Sequence, residues 1–166
     1  ACYQGFVSLT NNKERTLVVY DKTHLIHNEY FKRKNIMNNE NWNLIDKQDV
    51  MNAHKLKRVL TVPAGALVLW DSRTFHQNQY GAPCSEERMV QYVCFLPKNN
   101  AKNSEQMRIK RKKYFEERRT TSHWPYPIRV NALQPRTFGN KNKNIDYSEL
   151  TRVNLDKYML DIANML

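Results

Sequence analysis

The sequence predicts a mainly β fold with added helices. Short runs of β-type residues follow one another through residues 1–100, whereas apolar residues at helical spacing are found mainly beyond them. Turn residues such as Pro63 and Gly65 separate the runs. The predicted antiparallel strands are residues 3–9, 16–20, 58–62, 66–71 and 89–96.

The elements between these strands are predicted in chain order. Gly5 lies inside the first strand and indicates a position where backbone or a ligand approaches closely. Residues 24–34 are predicted as a short helix or a lid-like loop. An Asn-rich loop follows at residues 35–43, and residues 44–56 have helical or mixed spacing.

The C-terminal part, residues 101–166, is predicted to form helices packed on the β core. A basic helix is expected at residues 104–119, an extended segment at 128–145 and an amphipathic helix at about 147–165. The β core itself is expected to occupy residues 1–100.

The chain is strongly basic, with 27 Lys and Arg against 16 acidic residues, a net charge of +11. This charge favours acidic partners, nucleic acid among them, but a compositional bias of the genome explains it equally well. In the predicted basic helix, a charge run is most often a solvated face. A nucleic-acid interface would also need a groove with stacking aromatic residues.

The cysteine pattern and the apolar runs indicate the compartment. Cys2, Cys84 and Cys94 are odd in number and have no C-x-x-C spacing, which favours a reducing, intracellular compartment, cytoplasmic or nuclear. The apolar runs are far shorter than the roughly 18 residues of a membrane span. The first residues lack the charged region of a signal peptide, so no cleaved leader is expected there.

The stretch from Val62 to Asn78 is the centre of the predicted fold. Ala66 to Trp70 is an unbroken apolar run, typical of a strand buried on both faces, and His76 follows it in a second β-type run. Arg88 precedes the next apolar strand. Imidazole is a good ligand for Fe(II), and a guanidinium in an apolar strand usually pairs with a carboxylate. The alternative for His76 is an ordinary hydrogen-bonded histidine.

These residues also carry a family resemblance. GALVLWDSRTFHQN followed by ERMVQYVCF resembles the distal-histidine and arginine strands of the phytanoyl-CoA dioxygenase-like (PhyH-like) proteins. GFVSLTNNKERTLVVYDKTHLIHNEYF and RTTSHWPYPIRV resemble flanking segments of that family in the same order. The resemblance implies a double-stranded β-helix, the cupin-like jelly roll, incomplete on its N-terminal side. It also implies a Fe(II)/2-oxoglutarate-dependent oxygenase.

The resemblance assigns a role to four residues. His76 matches the distal metal ligand, and Arg88 matches the residue that clamps the far carboxylate of 2-oxoglutarate. Asn78 matches a position whose side chain also reaches the co-substrate, and Phe6 matches an aromatic residue that packs against it. The other two ligands of the family form an H-x-D motif, which by family spacing is expected upstream of residue 1. The H-x-acid motif in this chain begins at His27, where the family has no ligand, and solvated lid residues explain it better.

Two functions stay open. In the first, the chain is part of a dioxygenase (hydroxylase) that uses Fe(II), 2-oxoglutarate and ascorbate as reductant. Its H-x-D motif would come from an N-terminal complementing segment or a partner chain, and this chain alone would be inactive. In the second, the fold is a catalytically inactive structural or binding protein whose basic surface contacts nucleic acid or another protein. The substrate, a small molecule or a macromolecule, is not indicated by the sequence.

Overall fold

The computed structural model describes residues 2–37, 42–130, 151 and 154–161. The chain divides into two compact units, residues 1–97 and residues 98–166. The strands of the first unit are β1 (Tyr3–Ser8), β2 (Leu17–Tyr20), β3 (Lys57–Val59), β4 (Leu67–Asp71), β5 (His76–Asn78) and β6 (Val90–Phe95). Its helices are α1 (Thr23–Arg33) and α2 (Lys47–Asn52), and the second unit contains α3 (Glu105–Glu116).

The six strands form two antiparallel sheets of three strands each. Sheet I has the order β4–β1–β6, and sheet II has the order β3–β2–β5. The central strand of each sheet pairs with two strands that come at least thirty residues later in the chain, so non-local pairs hold both sheets together. The predicted mainly β class with antiparallel strands and added helices is thereby confirmed.

One hydrophobic core lies between the two sheets. Phe6 and Trp70 from sheet I and Leu17 from sheet II are buried together, along with Val62. Val19 packs against the same cluster, as the alternation of side chains along β2 requires. The inner faces of both sheets are therefore defined by these residues.

A second core covers the other face of sheet II. Val18 and Tyr20 of β2 pack with Tyr30 of α1 and with Phe75. Thr23, at the start of α1, donates a hydrogen bond to the Tyr20 carbonyl (2.6 Å) and accepts one from the Phe75 amide (2.8 Å). The strand β2 is thus buried on both faces, between sheet I and the helix α1.

The close approach predicted at Gly5 is observed, and it is made by backbone. A Cβ at this position would lie 2.4 Å from the carbonyl oxygen of Val68 and 2.5 Å from Cδ2 of Leu69. Leu69 stands directly opposite Gly5 in the pairing of β1 with β4. The missing side chain is therefore what allows Leu69 to lie across the central strand of sheet I.

Several predicted boundaries need adjustment. The strand expected at 58–62 is β3, Lys57–Val59, and Val62 forms a separate bridge with Asn12. The helix expected at 104–119 ends at Glu116, because Arg118 adopts the left-handed conformation (φ 55) that terminates a helix. The predicted helix or lid at 24–34 is the helix α1.

The two C-terminal predictions lie largely outside the described residues. The extended segment at 128–145 is described only as far as Val130, which bridges to Thr121. Of the helix predicted at about 147–165, the structure describes residues 151 and 154–161, where Asp156–Tyr158 forms a 3-10 turn. Among the residues that are described, no helix combines the length and apolar character that crossing a membrane requires.

Candidate functional site

The register of β5 puts His76 and Asn78 on the inner face of sheet II. Residues directly opposite in an antiparallel pair have their side chains on the same face. Val19 stands opposite His76, and Leu17 stands opposite Asn78. Because Leu17 and Val19 belong to the core between the sheets, His76 and Asn78 share that face. Both are exposed, at one border of the core.

The imidazole of His76 is oriented by the backbone. Its Nδ1 lies 2.8 Å from the carbonyl oxygen of Thr74. A carbonyl oxygen only accepts, so Nδ1 carries a proton, and in a neutral imidazole the lone pair is then on Nε2. Metal-binding histidines commonly donate their second ring N–H to a carbonyl in this way. Nε2 of His76 is therefore chemically suited to be a metal ligand.

Arg88 projects to the same side from sheet I. Its guanidinium carbon lies 5.4 Å from the centre of the Phe6 ring. Nη1 and Nη2 are each 3.5 Å from the hydroxyl oxygen of Tyr92, at the limit of a hydrogen bond. Among the described residues, the buried Nε has no hydrogen-bond partner. The neighbouring carboxylate of Glu86 is bound instead by backbone amides, Arg15 N at 2.5 Å being the shortest.

Three aromatic rings connect these two polar side chains. The Trp70 ring centre lies 5.3 Å from that of His76 and 6.1 Å from that of Phe6. Phe6 in turn lies 6.0 Å from Tyr92, edge to face. The structure thus brings Phe6 and Arg88 into direct contact, and His76 joins them through Trp70.

The sequence prediction did not include Trp70 and Tyr92 in the site. Trp70 stands beside Gln4 and Tyr92 beside Phe6 in sheet I, so all share its inner face. The sequence signal that could have found them is the alternation of side chains along β4 and β6, in which every second residue lies on the same face. The pairing of both strands with β1, which the alternation does not reveal, is what places them around Phe6.

A cavity of about 300 Å³ opens beside Trp70 between the two sheets. Its apolar wall includes Leu17, Val19, Leu60, Val68 and Trp70, and its rim includes Asp21, His24, Arg58 and Asp71. The buried Nε1 of Trp70 has no hydrogen-bond partner among the described residues.

Two acidic residues that line this cavity, Asp21 and Asp71, form ion pairs with arginines. Arg58 Nη2 lies 2.6 Å from Asp21 Oδ2, and Arg73 Nη2 lies 2.7 Å from Asp71 Oδ2. Hydrogen bonding from the Arg73 guanidinium lowers the pKa of Asp71 to about 2. Asp71 is therefore ionised at neutral pH, and both carboxylates are already paired with arginines.

In the part of the chain that the structure describes, His76 fits one ligand position of an iron site. Within the described ranges there is no group of three or more His, Cys, Asp or Glu side chains that could hold a metal. A single imidazole does not retain Fe(II), for which two histidines and a carboxylate are the usual set. His27, the alternative histidine, stacks on Phe31 at 4.2 Å, and its Nδ1 lies 3.3 Å from Asn28 Oδ1.

Comparison with protein-family models, with curated proteins and with solved structures found no match to this chain. The resemblance to the PhyH-like proteins therefore stays a prediction. The roles of His76, Asn78, Phe6 and Arg88 depend on the resemblance and on the geometry described above.

Proposed function

We propose that this chain is the C-terminal part of a jelly-roll Fe(II)/2-oxoglutarate-dependent dioxygenase of the PhyH-like type. The observation that carries the proposal is the environment of Arg88. Its half-buried guanidinium lies on the Phe6 ring, with only long contacts to Tyr92 and a buried Nε without a partner in the described residues. Burying an arginine without a carboxylate is unfavourable, so an anionic ligand such as 2-oxoglutarate would complete this site.

The strand order supports the jelly roll within this proposal. The β2–β3 pair is nested inside the β1–β4 pair, and β2–β5 is nested inside β1–β6. Nested antiparallel pairs divided between two sheets are the pattern of the jelly roll, which typically has eight strands. Among the described strands, none pairs with the second edge of β5 or β6. A complementing segment with two strands and the H-x-D motif would add to those edges, beside His76.

Each residue of this chain would have a defined task in the complete site. His76 would provide one iron ligand through Nε2, next to the two from H-x-D. Arg88 would hold the far carboxylate of 2-oxoglutarate with both Nη atoms, and Asn78 would donate its amide hydrogens to the co-substrate. The rings of Phe6 and Trp70 would exclude water from that space. With Fe(II) bound and kept reduced by ascorbate, O2 would be the oxidant: one oxygen atom would enter 2-oxoglutarate, which would lose CO2 and become succinate, and the other would become the hydroxyl group formed at a substrate C–H bond.

Succinate release in the presence of Fe(II) and ascorbate tests the proposal. The proteins compared are this chain, a longer product that includes an upstream H-x-D motif, and the His76→Ala variant of the longer product. We expect succinate only from the longer product with His76 intact. Turnover by the present chain alone would indicate a different ligand set, with His27 and Glu29 the first to be substituted.

The alternative function is a non-enzymatic binding protein, and the helix α3 is the observation in its favour. This helix buries none of its residues. Between residues 102 and 119 the basic side chains (102, 108, 110–113, 118 and 119) outnumber the acidic ones (105, 116 and 117). A longer product that binds metal but releases no succinate would favour this alternative. Binding of DNA or RNA that weakens steeply with salt would then identify nucleic acid as the partner.

A further inference from the structure

The carboxylate of Glu86 fills an anion site made by the backbone. Its Oε1 accepts hydrogen bonds from three consecutive amides, those of Lys13 (3.1 Å), Glu14 (3.1 Å) and Arg15 (2.5 Å). Successive amides that converge in this way form a nest, which favours an anion. Desolvation raises the pKa of Glu86, but these hydrogen bonds outweigh it and keep the pKa below its ordinary value. Glu86 therefore occupies the nest as a carboxylate at neutral pH.

The same turn also binds the residues on both sides of Arg88. Asn12 Nδ2 donates to the carbonyl oxygen of Glu87 (2.9 Å). The amide of Met89 donates to Thr10 Oγ1 (3.0 Å), and its carbonyl accepts from the amide of Leu9 (2.9 Å). Residues 9–15, which we call the nest turn, thus form hydrogen bonds with residues 86, 87 and 89. The Arg88 side chain projects from this held segment towards Phe6.

We propose that Glu86 is a positioning residue that holds the Arg88 guanidinium over the Phe6 ring. An empty nest would leave three amides without their acceptor, and the segment before β6 would lose its strongest attachment to the nest turn. Arg88 would then leave the ring, since its remaining contacts with Tyr92 are 3.5 Å long. The role of the guanidinium as a clamp for 2-oxoglutarate rests on the proposed function, whereas its position does not.

The position of Arg88 is measurable by NMR without any ligand. The Nε–H resonance of Arg88 in this chain is expected to show a ring-current shift from Phe6, assigned by its loss in Phe6→Leu. Glu86→Ala should move the resonance to the value of a free arginine. Glu87→Ala, which removes a carboxylate one residue away, should leave it unchanged, because Glu87 is held through its carbonyl. Added formate should not return the shift in Glu86→Ala, because formate in the nest is not bonded to the segment before β6.

Two results would overturn the proposal. One is an unchanged Arg88 resonance in a Glu86→Ala protein whose spectrum is otherwise that of the folded chain. The other is an unchanged resonance in Glu86→Gln, the variant to use if Glu86→Ala does not fold. Glu86→Gln keeps the shape of the side chain and removes its charge, so the ring-current shift of Arg88 is expected to be smaller than in the unsubstituted chain.

Steady-state kinetics of the longer product test the positioning role of Glu86 separately from the proposed dioxygenase function. In Glu86→Ala we expect the KM for 2-oxoglutarate to rise about tenfold, equivalent to ~1.4 kcal/mol, with kcat little changed. Glu87→Ala should keep both values. Equal KM values for Glu86→Ala and the unsubstituted product would contradict the positioning role. Absence of 2-oxoglutarate binding to the unsubstituted product would refute the proposed function, while the NMR result would still decide the positioning.

Discussion

His76 Nδ1 lies 2.8 Å from the carbonyl oxygen of Thr74, two residues earlier in the chain. This hydrogen bond sets both the tautomer and the direction of the ring. The two ring nitrogens therefore have different roles: Nδ1 is bound to the backbone, while Nε2 is not used by this hydrogen bond. The first prediction concerns Nε2 as an iron ligand.

His76→Ala in the longer product with H-x-D is expected to abolish stoichiometric iron binding and succinate release. The physical reason is the loss of one of the three ligands that a facial Fe(II) site needs. Bound iron is measured by metal analysis after gel filtration. His27→Ala is the matched control, since that ring stacks on Phe31 in α1, and it should bind iron normally. Retention of one iron per chain in His76→Ala would exclude His76 as a ligand.

Arg88→Ala is expected to weaken 2-oxoglutarate binding by about 2–5 kcal/mol, the range for losing a buried charge-assisted pair. Calorimetry on the longer product measures this difference directly. Arg88→Lys should recover only part of it, because an ammonium lacks the planar fork that binds both carboxylate oxygens. Arg73→Ala removes an equal charge whose partner is Asp71 and should leave the affinity unchanged. If Arg73→Ala and Arg88→Ala weakened 2-oxoglutarate binding equally, the effect would come from the overall positive charge and not from a direct contact with Arg88.

Gly5→Ala is expected to lower the free energy of unfolding by about 1–3 kcal/mol, the usual range for overpacking. The added Cβ would lie 2.4 Å from the carbonyl oxygen of Val68, which cannot rotate away. Urea denaturation measures the change. Combining it with Leu69→Ala should not restore stability, since the contact with the backbone persists. Gly65→Ala is the comparison: nothing lies within 4 Å of its Cβ position, and only the cost of its positive φ is expected.

The Asp71–Arg73 pair is expected to contribute an acid-dependent part of the stability. Hydrogen bonding from Arg73 lowers the pKa of Asp71 from 3.8 to about 2. A carboxyl group with a lowered folded-state pKa stabilises the fold above its unfolded pKa, and this contribution is lost as the pH falls through the folded value. Between pH 3.8 and about 2, Asp71→Asn should therefore lose less stability than the unsubstituted chain.

The unfolding midpoint in urea, followed across this pH range, measures the contribution of the Asp71–Arg73 pair. Arg73→Gln is the matched variant, because it removes the partner and leaves the carboxyl group in place. Its stability should fall with pH in parallel with that of Asp71→Asn. Identical pH dependence in both variants and in the unsubstituted chain would show that the ion pair contributes nothing to folding.

The sequence by itself determined the local features of this protein. The apolar runs predicted five of the six strands found in the described residues to within a few positions. The helix predicted from residue 104 begins at Glu105, and the Ser104 side chain caps it by accepting a hydrogen bond from the Met107 amide. Gly5 was correctly identified as a point of close approach. These features depend on alternation, helix capping and backbone sterics, which act within a few residues of the chain.

Only the tertiary structure decided which side chains share a face and which contact each other. The nest that binds Glu86 lies about seventy positions earlier in the chain, and Phe6 meets Trp70, Tyr92 and Arg88 through pairings of similar span. No local pattern encodes such a partner, because register depends on how two distant strands meet. The sequence could therefore propose His76 and Arg88 as candidate site residues. The rings of Trp70 and Phe6 between them, and the nest that binds Glu86, emerge only when distant parts of the chain pack together.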